Sequence, residues 1–582
     1  MNALVNNLIG NKTIVSQIER NAKKQSQNIM LIFEGESITW DGFNCLANQY
    51  SHTFLSMGLE KGDTIALVME NRIEFLAALI GMNKIGVIAG LVNHNLSGDS
   101  LVHCIKEIDA QHIMFGEEVC DVIFEIKQDI VTSRGDSCDF LYVADKNQRK
   151  APEWSFCFDH SANSKPITNP RQSANISPED RCCYIYTSGT TGLPKASIIK
   201  HDRWFKAGLS FSLFALRTRK TDRYYLCLPL FHSSALFIGF GSAAVGGASI
   251  FLRRKFSASN FLEEAREHQT NTFIYIGELC RYLMHRPKLA NDAINPIEKC
   301  AGNGLRPDIW MEFKERFGIE KVAEFYGSTE GNIAFMNCFN NDCTIGFSPS
   351  KFSLVKYDVL NDEIVRNEKG FCRPVDSGEP GLLVARINEL LPFEGYTNKA
   401  ETDKKILRDV FKRGDAYFNS GDLIKQVKVK RSLGLRHYQF VDRVGDTFRW
   451  KGENVSTNEV EEILNANDQI KYSNVYGVEL KGTNGRAGMA ALMPNLDTIN
   501  MDELSDYIAS RLPTYAQPIF IRVLNDMNTT GTFKLLKGDL KKQAYHPSVS
   551  GDQIYVKQPS DSQYVPLCSY FYKVIESGNA GY

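Results

Sequence analysis

Tyr184 to Lys195 reads YIYTSGTTGLPK, which places four short hydroxyl side chains, two glycines and a lysine in one loop behind an apolar strand. Thr187, Ser188, Thr190 and Thr191 supply donors, Gly189 and Gly192 allow close approach of backbone amides, and Lys195 adds a cation on a flexible stem. These are the parts needed to grip a polyphosphate. The loop is not of the Walker A type, which has four residues between its glycines and a Lys-Ser or Lys-Thr directly after the second. Here two residues separate the glycines and Pro194 precedes the lysine. A Gly/Ser/Thr surface turn has the same composition, so the loop alone leaves both readings open.

The elements that must hold such a loop follow from periodicity. Asp41 to Met57 predicts an amphipathic helix, capped by Asp41 and closed by Gly58, with Phe43, Leu46, Ala47, Tyr50 and Phe54 at helical spacing. Thr64 to Met69 predicts a buried strand, and Ile73 to Leu91 is mostly apolar around Lys84. The alternation recurs through Leu226 to Ile250 and Phe273 to Tyr275, which predicts an α/β fold of largely parallel sheets with helices on both faces. Segment 158–177 is polar and predicts a surface loop. Near 440–447 an irregular stretch (VDRVGDT) precedes a fresh start, where Ser456 and Glu459 form a capping-box pattern ahead of Val460, Ile463 and Leu464. The division predicted is a large N-terminal unit, 1–442, and a smaller α+β C-terminal unit, 443–582.

Composition removes several classes of function. The 582 residues carry 67 Lys+Arg against 68 Asp+Glu, so the net charge of -1 provides no field for general nucleic-acid binding. Fourteen cysteines, none in C-x-x-C spacing, and eleven scattered histidines argue against a disulfide framework and structural zinc. The first thirty residues hold no signal-peptide core, which predicts a cytoplasmic protein. Ala235 to Leu252 is eighteen residues without a charge, but Gly239, Gly241, Gly246 and Gly247 interrupt it, and it predicts a buried helix breaking into a strand at Ala248–Leu252.

TSGTTGLPK resembles the phosphate-loop motif of the adenylate-forming superfamily of acyl-CoA synthetases, luciferases and adenylation domains. Three further strings in the expected order resemble its other motifs: FYGSTEGN at 325–332, YFNSGDL at 417–423 and VDRVGDTFRWKGENV at 441–455. NHNLSG with HC at 93–104, YIGELCRY at 275–282, GNGLRP at 302–307 and YVPL at 564–567 resemble the fatty acid transport protein and very-long-chain acyl-CoA synthetase branch. The resemblance implies a two-step ligase: a carboxylate attacks the α-phosphorus of ATP and expels pyrophosphate, and the thiol of coenzyme A then takes the acyl group. It implies ATP, Mg²⁺ and coenzyme A as cofactor and co-substrates, and a long- or very-long-chain fatty acid as substrate, with a bile-acid-like or carnitine-like carboxylate, or fatty acid uptake by acyl-CoA trapping, as the alternatives.

Two anions meet in the first step, so the site needs cations more than a strong base. The resemblance makes Glu330 the Mg²⁺ ligand and gives Thr329 a phosphate or metal role. Phe325, Tyr326, Gly327 and Ser328 belong to the same motif, with Tyr326 flanking adenine beside the Gly302–Asn303–Gly304 turn. It sets Asp422 and Arg443 at the ribose, and His232 at the acyl entrance, where a core histidine is an equal reading. Lys534 in TGTFK matches the lysine that bridges carboxylate and α-phosphate; Phe533 replaces the usual glycine before it, and Lys537 is the rival. Gly445 aligns with the pivot of a mobile C-terminal domain. Gly239, Gly241, Ser242, Ala243 and Ala244 suit the lining of an alkyl tunnel, in which each buried methylene contributes ~0.8 kcal/mol. Basic residues from Lys399 to Arg436 suit the phosphates of coenzyme A, a peripheral membrane contact or a solvated face. A homodimer is left open.

Overall fold

The computed structural model describes residues 10–134, 139–146, 149–187, 193–359, 362–389, 391–451, 453–481, 483, 485–495, 498–524, 537–546, 552–559 and 561–582, apart from the side chains of 131–134 and 454. The α/β expectation holds. Seven strands form one sheet, in the order Phe156–Cys157, Asp139–Val143, His112–Gly116, Thr64–Val68, Ile88–Val92, Arg181–Thr187, Lys195–Lys200. All neighbours run parallel except the last pair. An eight-stranded sheet is parallel through Ile29–Phe33, Ser249–Leu252, Arg223–Leu226, Thr272–Ile276, Lys299–Asn303 and Lys321–Gly327, with one antiparallel strand at each edge. Helix Ile73–Lys84 is buried on every side, as a helix apolar all round must be. Its one cation, Lys84, is satisfied by Glu19 at 2.6 Å and Asn44 at 2.9 Å.

A third, antiparallel sheet carries Phe352–Val355, Gly381–Arg386, Ala416–Val427, Ile406–Arg408 and His437–Arg443. After it come helix Thr457–Asn465 and a five-stranded sheet of Ile470–Glu479, Arg486–Pro494, Phe520–Val523, Gln553–Lys557 and Tyr564–Pro566, with a core of its own from Phe448 to Ile575.

Several local expectations shift. The early helix runs Trp40–Ser56, and its cap is Thr39, whose hydroxyl accepts from the Gly42 amide; Asp41 sits inside the first turn, where a carboxylate favours the helix dipole. Ile73 to Leu91 divides into helix Ile73–Lys84 and strand Ile88–Val92 at a turn through Gly86, φ +81°. Segment 158–177 is not all surface loop: helix Phe158–Ala162 inserts Phe158 against Tyr50 and Phe54. Ser456 does cap its helix by accepting from the Glu459 amide at 3.4 Å. Ala235 to Leu252 becomes a π-helical turn Ser234–Gly241, helix Ser242–Gly246 and strand Ser249–Leu252. Among the described residues no helix is long and apolar enough to cross a membrane.

Glycines in that stretch allow close packing. A Cβ on Gly208 would lie 2.7 Å from the Gly241 carbonyl, and one on Gly239 would lie 2.6 Å from Leu226. The helix His201–Ser210 and the π-turn therefore touch backbone to backbone.

Candidate active site

Strand Arg181–Thr187 delivers Thr187 to the mouth of the predicted phosphate loop, and the antiparallel strand Lys195–Lys200 leads away from it with Lys195 at its start. Ser188, Gly189, Thr190, Thr191 and Gly192 lie outside the described residues. Beside the second strand, residues 395–397 run as an extra edge: Ile198 donates to the Gly395 carbonyl and Thr397 to that of Ala196. This edge fixes Tyr396, 6% exposed, whose ring lies beneath the Lys195 ammonium at 6.0 Å. Its hydroxyl lies against both the Thr187 hydroxyl and the Glu330 carboxylate, and burial together with the Glu330 charge pushes the phenol up. Tyr396 thus joins two motifs more than 140 residues apart in sequence. The short helix Lys399–Lys404 follows and presents Glu401, which pairs with Lys195; hydrogen bonds from Lys195 and Lys404 hold the Glu401 carboxyl down at about 2.

Strand Lys321–Gly327 ends in the loop carrying Ser328, Thr329 and Glu330, with Glu330 buried and the Ser328 hydroxyl accepting from the Gly331 amide. Arg203, on helix His201–Ser210, donates to the carbonyls of Ser328 (3.1 Å), Glu330 (3.4 Å) and Gly331 (2.7 Å). One guanidinium thereby fixes three carbonyls of the loop's backbone. The loop also meets the segment containing His232. Ser233 shares a hydrogen bond with Thr329 at 3.1 Å, and Ser234 donates to Asn303 at 3.3 Å. His232 itself faces the Ser234 amide through Nδ1 at 3.4 Å. Phe325 is packed edge-on against Phe211 of a second π-turn, Phe211–Ala215. Such π-turns cluster at functional sites.

The Gly302–Asn303–Gly304 turn closes the far side. A Cβ on Gly302 would lie 2.2 Å from the Tyr275 carbonyl, and Gly304 has φ +84°, so both positions require glycine. Glu324 braces the turn by accepting from the amides of Gly304 and Leu305 and from Tyr275. Buried and without a cation beside it, its carboxyl is pushed up to about 8.

Opposite, Asp422 and Arg443 are register partners across two strands, with Arg443 Nε 3.7 Å from the Asp422 carboxylate. The Tyr326 hydroxyl donates to Asp422 at 2.5 Å, and the Tyr326 ring stacks on Phe440. Burial raises the Asp422 carboxyl, against the pull of Arg443 and Tyr326.

Lys534 lies outside the described residues. Lys537 is placed: its ammonium is 3.0 Å from Glu461 and 2.9 Å from the Thr457 hydroxyl, inside the C-terminal unit. Glu461 also takes Arg306, two residues past the glycine turn, at 2.6 Å. Gly445 has φ +88° with open space around it. One rim therefore gathers Thr187, Lys195, Asn303, Tyr326, Thr329, Glu330, Asp422 and Arg443. Four residues that brace or contact it, Arg203, Glu324, Tyr396 and Glu401, carry no sequence signature.

Residues 18–391 match the AMP-binding enzyme family, and residues 459–534 match the AMP-binding enzyme C-terminal domain. The chain belongs to the AMP-binding enzyme family. It is 37% identical, over 96% of its length and 90% of the relative's, to the medium/long-chain-fatty-acid–CoA ligase FadD6 of Mycobacterium tuberculosis. It is 38% identical, over 97% of its length and 90% of the relative's, to long-chain fatty acid transport protein 2 of Rattus norvegicus. In fold it is similar to the anthranilate CoA ligase AuaEII solved in complex with anthranoyl-AMP. That match has a TM-score of 0.76 and 19% identity, and covers 91% of this chain and 97% of the other.

Proposed function

We propose that this member of the AMP-binding enzyme family is an AMP-forming CoA ligase for long-chain fatty acids, with the adenylation site at the rim just described. The convergence of the phosphate-loop strands, the Ser328–Glu330 loop and the Asp422–Arg443 pair on one opening carries the reading. The full-length similarity to proteins named for long-chain fatty acids supports the substrate class.

In this reading Thr187, Ser188, Thr190 and Thr191, with the amides at Gly189 and Gly192, donate to the phosphates of ATP. Lys195 exchanges Glu401 for a phosphate oxygen, and Glu401 remains beside Lys404. Tyr326 and the glycine turn hold adenine between them, and Asp422 accepts from the ribose hydroxyls while Arg443 orients it. The Glu330 carboxylate and the Thr329 hydroxyl are hard oxygen donors, which suits Mg²⁺ shared with phosphate. Bound there, the metal neutralises phosphate charge as two anions approach. His232 borders the carboxylate's approach. Lys534, delivered by the C-terminal unit, bridges carboxylate and α-phosphate, a task for a compact cation on a flexible stem. Lys537 is already committed to Glu461 and Thr457, which favours Lys534.

We place the unit boundary at 442/443, with Gly445 as the pivot for a C-terminal unit that moves between the two half-reactions. The protein acts peripherally at the cytoplasmic side of a membrane, where its substrate partitions, and conversion to the CoA ester traps acid that has crossed. Incubating the purified chain with ATP, Mg²⁺, coenzyme A and acids of graded length should release AMP fastest with long chains. A preference for a short polar acid removes the lipid assignment, and no AMP with any acid removes the reaction.

A further inference from the structure

The turn joining strands Ala416–Val427 and His437–Arg443 has no role in the nucleotide site, yet its charge is all of one sign. From Leu423 to Val441 there is no acidic residue, against Lys425, Lys428, Lys430, Arg431 and Arg436. Lys428, Lys430, Arg431 and Arg436 are exposed, and among the described residues no carboxylate pairs with any of these four. Between the cations stands an apolar tip: Leu433 is 81% exposed and Leu435 40%. Leu433 also has φ +48°, a left-handed conformation that disfavours a leucine and that glycine would adopt freely.

The turn is nonetheless built, not loose. Buried Asn341 clamps the Arg431 backbone at both ends, accepting from its amide at 3.2 Å and donating to its carbonyl at 2.9 Å. The Leu435 amide donates to the Ser432 carbonyl at 2.9 Å, and the Gly434 amide to the Ser432 hydroxyl. A groove of about 640 Å³ continues from it, lined in part by Lys351, Arg386, Arg436 and Tyr438. Its two carboxylates, Asp376 and Glu379, lie beside Lys356 at 3.7 and 3.5 Å.

We infer that the 428–436 turn docks the protein on an anionic lipid bilayer, with Leu433 and Leu435 entering the headgroup layer and the flanking cations facing lipid phosphate and carboxylate. Charge complementarity selects an anionic surface, and two exposed leucines, one of them held at a conformational cost, select a bilayer over a soluble polyanion. A preset turn loses little freedom on binding. The assignment extends the lipid-substrate reading and is tested without it, since binding is read with neither ATP nor acid present.

The test is co-sedimentation of the full chain with vesicles of phosphatidylcholine alone or with roughly one-third phosphatidylserine. Binding should require phosphatidylserine and weaken as salt is raised. Combined Lys428→Gln, Lys430→Gln and Arg431→Gln should weaken it on the order of 100-fold, about fivefold per cation. Leu433→Gly should weaken it roughly tenfold while the thermal midpoint holds or rises, because glycine suits the left-handed backbone. Both variants should keep wild-type turnover of a short, water-soluble acid and an unchanged KM for coenzyme A. Equal binding to both vesicle types, or vesicle binding that survives both variants, overturns the assignment. A raised KM for coenzyme A in the triple variant gives the cations to that substrate, and equally tight binding to soluble polyglutamate points to an acidic protein. Either result also overturns it.

Discussion

Two buried glutamates, each less than 4% exposed, sit on either side of the glycine turn and are held by opposite means. Glu324, beneath the turn, meets two amides and a phenol but no cation, and burial pushes its carboxyl up to about 8. Glu461, across from Arg306, is also raised by burial, but Lys537 and Arg306 outweigh that and bring it down to about 2. The first is a neutral brace within the N-terminal unit. The second is an ionic contact that reaches from the C-terminal unit to a residue two past the turn. Tyr282 and His285 meeting Tyr472 edge-on, and Asp442 accepting from Thr457 and Asn458, add to that contact. The proposed nucleotide rim is thus fixed by hydrogen bonds to backbone, and the unit that in the proposed reaction brings a lysine to it is attached through polar and aromatic contacts. The proposed movement between half-reactions would keep the first side built and release the second.

The sharpest way to break the comparison is at the two lysines. Lys534→Ala should lower acyl-adenylate formation by roughly 10³-fold with little change in thermal midpoint, as loss of a transition-state contact does. Lys537→Ala should do the reverse, costing up to about 3 kcal/mol of stability by leaving Glu461 half-paired, with a far smaller loss in adenylation. If the two phenotypes are exchanged, the lysine assignment is wrong. Next in size, Arg203→Met frees the three carbonyls of the Ser328–Gly331 loop and should reduce kcat for adenylation about 10- to 100-fold. A wild-type kcat in that variant would show that the loop holds its shape without the clamp.

Parts of this were legible in the sequence and parts were not, for definite reasons. Thr187, Glu330 and Asp422 stand in contiguous strings whose residue types already suggest phosphate, metal and sugar. Tyr396 and Arg203 reach the Ser328–Gly331 loop from an edge segment 66 residues and a helix 125 or more residues away, and neither stands in a motif of its own. Glu324 adjoins a motif, but its function depends on Gly304 and Leu305 on the next strand. The glycines at 239 and 241 fit a tunnel lining and a close helix contact equally well until Trp204 and Leu226 are known to face them. Thr39 and Asp41 are both good residues near a helix start, and only the Gly42 amide tells which one caps.

The two glutamates also predict opposite responses to pH. Glu324 has a folded pKa raised above its ordinary value near 4.5. Its contribution is therefore intact below that value and is lost as pH rises towards about 8. Glu461 has a depressed one, so its contribution is present above about 4.5 and disappears as pH falls towards about 2. Thermal midpoints across pH should show both slopes, with Glu324→Gln flattening only the alkaline one and leaving activity at neutral pH close to wild type. An unchanged alkaline slope in that variant would remove Glu324 as its source. The smallest effect should come from Arg306→Gln, which weakens the unit-to-unit contact but leaves Lys537 on Glu461. Faster proteolytic separation of the units and a few-fold change in overall turnover are expected, while the KM for ATP stays put. A large rise in that KM would mean that Arg306 shapes the nucleotide pocket itself.

The most direct measurement is pyrophosphate–ATP exchange driven by a long-chain fatty acid with coenzyme A left out, because only reversible formation of an acyl-adenylate moves label from pyrophosphate into ATP. Exchange that requires the acid and Mg²⁺, and that collapses in Lys534→Ala and Glu330→Gln, is the predicted result. Exchange absent with every carboxylate offered, or undiminished in both variants, would contradict the site and the reaction together.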